Sequence, residues 1–317
     1  MTSSMRWRLP FCLLACVALA GCFSAAKPVT PPPTMPPMLP AKIRIGLALG
    51  GGAAKGFAHI GVIKILEASG IHPDVIAGTS AGAVVGVLYA SGMDAFALQN
   101  QAFALDQASI RDVRLFSGGL VQGQKLQDYI NQLVDQRPIE KLKRPFAAVA
   151  TQLETGERAV FVSGNAGQAV RASASIPGVF EPVPIGAFHY VDGGVVSPVP
   201  VDAARQLGAD FVIAVDISTK PSGKNPDGML GIVGQSISIM GQKLAAQELA
   251  RADVVIRPKV GTIGPTDFDQ KNVAILEGER ATLAAIAQIR TRLAQLQAAR
   301  DAKAAAADAA AAQTLKH

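Results

Sequence analysis

Gly78-Thr79-Ser80-Ala81-Gly82 follows a short apolar stretch, Asp74 to Ala77, and opens a helical pattern, Ala81 to Tyr89. Its reading decides the fold. A buried strand that passes through a tight turn into a helix is the repeating unit of an α/β protein. The turn matches G-x-S-x-G, whose outer residues must be small because the backbone bends sharply and lifts the serine hydroxyl above the sheet. A helix starting near Ala81 aims free N–H groups and its positive dipole end at that hydroxyl. The bare motif is weak: a tight packing turn explains it about as well as a nucleophile does.

The same unit appears upstream. Ile43 to Leu49 is apolar and rich in branched residues, Gly50-Gly51-Gly52 ends it, and Ala58, Ile60, Val62, Ile63, Ile65 and Leu66 follow at helical spacing. Pro145 to Thr151, Ala159 to Val162, Phe211 to Asp216 and Asp253 to Arg257 are further strand candidates. Lys125 to Val134 and Pro200 to Leu207 are helical segments between them. The alternation predicts a three-layer α/β fold, a mostly parallel central β-sheet flanked by helices. Such sheets place ligands at the carboxyl ends of their strands, where both glycine-marked turns lie.

Three readings compete for Gly50-Gly51-Gly52-Ala53-Ala54-Lys55-Gly56. A P-loop fails, because Lys55 precedes the last glycine and no Ser or Thr follows it. A dinucleotide turn is suggested by Gly50, Gly52 and Gly56, with Asp74 as the distal acid, yet Asp74 begins a strand where that role needs one to end. The third is an oxyanion hole, in which consecutive backbone N–H groups face Ser80 and hold developing charge. It alone explains both glycine turns.

A base is then needed. The four histidines are His59, His72, His189 and His317. A Ser-Asp-His hydrolase of the usual chain order needs a histidine after its acid, and after Asp192 there is only His317, in a low-complexity tail. Alternation along a strand sends His189 and Asp192 to opposite faces. His59 lies on the apolar first helix and reads as a packed, hydrogen-bonded residue. A carboxylate base remains.

Taken together, Gly51-Gly52-Ala53-Ala54-Lys55-Gly56, Gly78-Thr79-Ser80-Ala81-Gly82 and Asp192-Gly193-Gly194 occur in the order seen in patatin-like phospholipases, bacterial branch, which this chain resembles over roughly residues 43 to 290. Ala58-His59-Ile60-Gly61-Val62, Ala172 to Phe180 and Asp253 to Pro258 add to the likeness. The resemblance implies a patatin-like acyl-hydrolase with a Ser-Asp dyad: Ser80 as nucleophile, Asp192 as base, and Gly51, Gly52 and Ala53 as oxyanion donors. Lys55, Gly56, Gly78, Gly82, Gly193 and Gly194 would support the loops, with no metal and no cofactor. Two positions depart from the family pattern. Ala53 stands where a third glycine is usual, and its Cβ restricts the backbone; Lys55 replaces an arginine and keeps the charge without the fork.

The N-terminus reads as an address. Arg6 and Arg8 precede an apolar run, Leu9 to Leu19, too short to span a bilayer, and Leu19-Ala20-Gly21-Cys22 resembles a lipobox. Residues 1–21 are therefore expected to be a lipoprotein signal peptide, Cys22 the lipidated N-terminus, and 22–42 a Pro-rich linker. Residues 43–297 would form the acyl-hydrolase domain and 298–317 an Ala-rich tail, helical or frayed. Cys12 and Cys16 leave with the leader, so the exported body has neither disulfides nor a Cys metal site. The formal net charge of +6 falls to +4 without Arg6 and Arg8, with no Lys/Arg cluster, and no nucleic-acid partner is expected.

Expected partners are a phospholipid or other lipid ester as substrate and a membrane held through Cys22. Phe23 in place of an Asp points to the periplasmic face of the outer membrane. Oligomeric state is left open. Two other readings stand beside the hydrolase: a catalytically silent lipoprotein that binds or scaffolds, and a dinucleotide-binding oxidoreductase.

Overall fold

The computed structural model describes residues 42–105, 121–218 and 228–314. The leader, Cys22, the linker up to residue 41 and His317 lie outside the described residues.

The strands are β1 (Ile45–Leu49), β2 (Val75–Thr79), β3 (Phe146–Gln152), β4 (Arg158–Phe161), β5 (Val183–Ile185), β6 (Phe188–Asp192), β7 (Phe211–Val215) and β8 (Val254–Ile256). They form one sheet in the order β5-β6-β3-β2-β1-β7-β8, with β4 also on β3. From β3 through β8 the neighbours are parallel; β4, β5 and β6 are antiparallel. The helices are α1 (Ala58–Ala68), α2 (Ala81–Ser91), α3 (Ala95–Ala104), α4 (Gln124–Leu133), α5 (Ala166–Ser173), α6 (Val201–Gln206), α7 (Gly228–Leu249) and α8 (Lys271–Thr314).

Period-two alternation sorts the strand residues by size. Leu47, Leu49, Ile76, Phe146, Ile213 and Val215 share a core with Val62, Ile63 and Leu66 of α1, Val87 and Leu88 of α2, and Ile275 and Ile289 of α8. The other face carries Ala48, Ala77, Ala147, Val149, Val212 and Ala214 against Val201, Ala203 and Ala204 of α6 and Ala245 and Leu249 of α7. Two covered faces make three layers, and strands covered on both sides read as unbroken apolar runs.

The expected strands appear within one or two residues of their predicted bounds. Beyond that set stands the β5–β6 hairpin, of which only the stretch from His189 to Asp192 reads as a strand in the sequence, and it brings the antiparallel strand on which Asp192 ends. As far as Thr314, the Ala-rich stretch belongs to α8, whose 44 residues run without a break past residue 297. Arg300 of that stretch pairs with Asp210 at 2.5 Å. Residue 297 falls inside that helix. Among the described residues, no helix is long and apolar enough to cross a membrane.

Candidate active site

β3 sets the geometry. β4 occupies one of its edges from Ala148 to Thr151. On the other edge, β2 pairs as far as Thr79 opposite Val149, and β6 takes over with Asp192 opposite Ala150. Two carboxyl ends therefore meet head to head on one edge, and Ser80 and Asp192 arrive at the same point.

There the Ser80 hydroxyl donates to Asp192 Oδ2 at 2.6 Å. Ser80 has φ 55° and ψ −121°, a region costly for a residue with a side chain. Such strain is characteristic of the sharp strand-to-helix turn of G-x-S-x-G. The turn closes only because its flanks lack side chains: a Cβ on Gly82 would lie 2.1 Å from the Leu49 carbonyl oxygen. The Ser80 N–H donates to Ser173 Oγ at 2.9 Å, and Ser173 in turn donates to the Val149 carbonyl at 2.6 Å. Ser173, within the stretch Ala172 to Phe180, thus links the Ser80 turn to β3, a role set by contacts distant in sequence.

Asp192 is 6% exposed. Burial pushes its carboxyl up to about 6, against the opposing pull of the Ser80 hydroxyl and the Gly194 N–H, the latter 2.7 Å from Oδ1. Its backbone is held on both sides, N–H to the Ser175 carbonyl at 2.8 Å and carbonyl to Thr151 Oγ1 at 2.9 Å. Gly193 lets the chain turn past β3, where a Cβ would come within 2.1 Å of the Val149 carbonyl.

The glycine loop faces this pair, and a Cβ on Gly51 would be 3.3 Å from Ser80 Cβ. Its three expected donors are not equivalent. Gly51 gives its N–H to the Pro198 carbonyl at 3.0 Å, which takes it out of the donor set. The N–H groups of Gly52 and Ala53 have no partner among the described residues. Ala53 sits at φ 51°, the left-handed region that favours glycine. Lys55 is 2% exposed, and burial pulls its ammonium below its ordinary value. Gly56 packs against Ala81 at the foot of α2, where an added Cβ would lie 2.6 Å from the Ala81 Cβ.

His59 and His189 make no hydrogen bond to Ser80 or Asp192. His59, fully buried, sets Nε2 2.8 Å from the Gly50 carbonyl, and burial drags its pKa down to about 4. A neutral ring at that distance must donate, so His59 holds the loop from behind. His189 is exposed and pairs with Glu154 at 2.8 Å. Asp74 accepts from the Ile45 N–H at 2.8 Å, at the amino end of β1 and the far end of that strand from Gly50. A dinucleotide held by Gly50–Gly52 would have no ribose acid there, which removes that reading.

A family profile described as patatin-like phospholipase matches residues 47–205, half of the chain. An uncharacterized NTE family protein of Mycobacterium tuberculosis is 36% identical over 207 residues, 64% of this chain and 57% of that relative. A second from the same organism is 30% identical over 269 residues, 76% of this chain and 46% of the relative. This chain thus spans about half the length of the curated relatives it matches. Among solved structures, VipD of Legionella pneumophila superposes with a TM-score of 0.56 at 14% identity, covering 78% of this chain and 67% of that one. That is a likeness of fold.

Proposed function

The chain belongs to the patatin-like phospholipase family, and from that premise we propose that it is a serine acyl-ester hydrolase acting on membrane lipids through Ser80 and Asp192. The observation that carries the reading is the 2.6 Å hydrogen bond from Ser80 to a buried carboxylate, beside two unengaged N–H groups. Asp192 takes the hydroxyl proton as Ser80 Oγ attacks the ester carbonyl carbon. The carbonyl oxygen becomes an oxyanion, received by the N–H groups of Gly52 and Ala53; such a donor is typically worth about 10²–10³ in rate. Collapse expels the alcohol, which leaves with the proton from Asp192, and an acyl-Ser80 remains. Water then gives its proton to Asp192 and attacks the acyl carbon. The fatty acid departs as Ser80 recovers its proton.

A catalytically silent binding protein explains this arrangement poorly. Ser80 held at φ 55° and a carboxylate driven into a desolvated site both cost stability. A shell kept only for binding gains nothing from either.

The substrate class rests on the lipobox-like Leu19-Ala20-Gly21-Cys22. A diacylated Cys22 would fix the enzyme to a membrane, with the outer membrane's periplasmic face as its place. α7 also exposes Ile239 and Met240 next to Gly241, which lies against the Gly194 carbonyl. The deciding experiment measures hydrolysis of a short chromogenic ester and of phospholipid in mixed micelles, beside Ser80→Ala and Asp192→Asn. Turnover by wild type with both variants at background supports the dyad; an inert wild type that resists fluorophosphonate labelling overturns it. Separately, Cys22→Ser should move the protein out of the membrane fraction. A variant that still sediments with membranes sinks the anchor.

A further inference from the structure

Glu248 is a buried carboxylate for which the proposed chemistry has no use. It sits near the end of α7 at 5% exposure, and burial raises its pKa above the ordinary value. A charge there is expensive unless its partners require it. Its two hydrogen-bond donors lie in one short segment. Ser197 Oγ donates to Oε1 at 2.5 Å and the Val199 N–H donates to Oε2 at 2.9 Å. Ser197 and Val199 are themselves fully buried. Among the described residues, the cation within ion-pair reach, Arg158, stands off at 4.0 Å. A carboxylate suits this place because it accepts twice and donates nothing; an amide would turn an N–H toward one of the two donors.

Ser197 to Val199 is the segment on which both halves of the active site hang. It begins just past the turn Gly193–Val195 that follows Asp192, and the Ser197 N–H closes back on the Gly193 carbonyl at 2.8 Å. The Ser197 carbonyl accepts the Thr79 hydroxyl at 2.8 Å, one residue before Ser80. The Pro198 carbonyl accepts the Gly51 N–H at 3.0 Å, one residue before the free Gly52 N–H.

We propose that Glu248 is a positioning residue for the oxyanion hole: by pinning Ser197 and Val199 it fixes where Pro198 holds Gly51 and where Ser197 holds Thr79, and so where the Gly52 and Ala53 N–H groups stand relative to Ser80. The inference rests on the acyl-hydrolase reading. Glu248 is buried behind Ser197 and Val199, so its effect should fall on the transition state, where donor placement within fractions of an ångström matters, and leave ground-state binding alone.

The test uses the full chain, a short chromogenic ester, and a trifluoromethyl ketone that forms a tetrahedral adduct with a catalytic serine. Glu248→Gln should lower kcat about tenfold or more, with KM within about twofold. The ketone should lose affinity by the same factor as kcat/KM, because both depend on the oxyanion donors. A merely structural carboxylate would shift the thermal midpoint and leave that correlation absent. Ser197→Ala removes only the shorter bond and keeps Val199 bonded, so it serves if the glutamine variant does not fold; it should show the same split in a weaker form. Unchanged kcat in the folded variant, or a rise in KM alone, overturns the proposal. An inert wild type sinks the hydrolase reading and this one together, whereas an active wild type with an unimpaired Glu248→Gln sinks this one alone.

Discussion

Thr79 and Asp192 occupy consecutive places along one edge of β3, opposite Val149 and Ala150. β2 reaches that point parallel to β3 and β6 reaches it antiparallel, so the register of one strand fixes the distance between two others. Ser80, one residue beyond Thr79, needs only its short side chain to meet a carboxylate that is equally short. The pairing is therefore set by the register of the sheet. It also leaves Asp192 dry, and the consequences of that can be measured.

If Asp192 is the base, it must be ionised. Burial pushes its carboxyl up to about 6 from 3.8. kcat/KM for an uncharged ester should climb as pH passes through about 6 and level off above it. An ordinary carboxylate would already have levelled near pH 5. A profile flat down to that pH would show that Asp192 is not the titrating base.

The same displacement bears on stability. The folded carboxyl holds its proton more tightly than the unfolded one, so between about pH 4 and 6 the native state binds more protons and stability falls as pH rises. Above that window the buried charge costs on the order of 3 kcal/mol. Asp192→Asn keeps an acceptor for the Gly194 N–H and removes the charge. It should melt several degrees above wild type near pH 8 and lose that margin near pH 4. A variant less stable than wild type at both pH values would refute the account.

Much of this was readable in the chain, for a physical reason. Strands buried on both faces leave continuous runs such as Phe211–Val215, and the small flanks of Ser80 are dictated by contacts as close as Gly82 against Leu49. β6 was harder to see. Phe188-His189-Tyr190-Val191-Asp192 is exposed at its start and buried only from Tyr190, so neither periodicity nor an apolar run marks it. The loss of Gly51 as a donor was invisible, because it depends on the Pro198 carbonyl, far away in the chain. Glu248 left no local signal either: a lone glutamate near a helix end ordinarily reads as a solvated residue.

Ala53 gives a prediction that runs against the usual direction of loop mutations. It holds φ 51°, which costs a residue with a Cβ about 1 kcal/mol or more relative to glycine. Ala53→Gly should raise stability by up to about 1 kcal/mol while keeping the N–H and the proposed esterase activity. Ala53→Val, branched where the backbone least tolerates it, should destabilise and cut kcat. Urea melts of the two variants decide the point: equal stability would mean that the loop does not carry this strain.

His59 should behave unlike a histidine. With Nε2 donating to the Gly50 carbonyl at 2.8 Å and burial dragging the pKa to about 4, the ring stays neutral where an ordinary one would charge. Between about pH 4 and 6.5 the unfolded chain binds the extra proton, so this group stabilises the fold above that range and withdraws on the order of 3 kcal/mol as pH falls through it. Its slope opposes that of Asp192 over nearly the same window, and the two should largely cancel in wild type. Asp192→Asn uncovers it, so the stability of that variant should fall steadily on acidification from about pH 7 to 4. Proton NMR offers the direct check: the His59 ring resonance should not move between about pH 8 and 5. A midpoint near 6.5 for that resonance would mean the ring is solvated and does not hold the glycine loop.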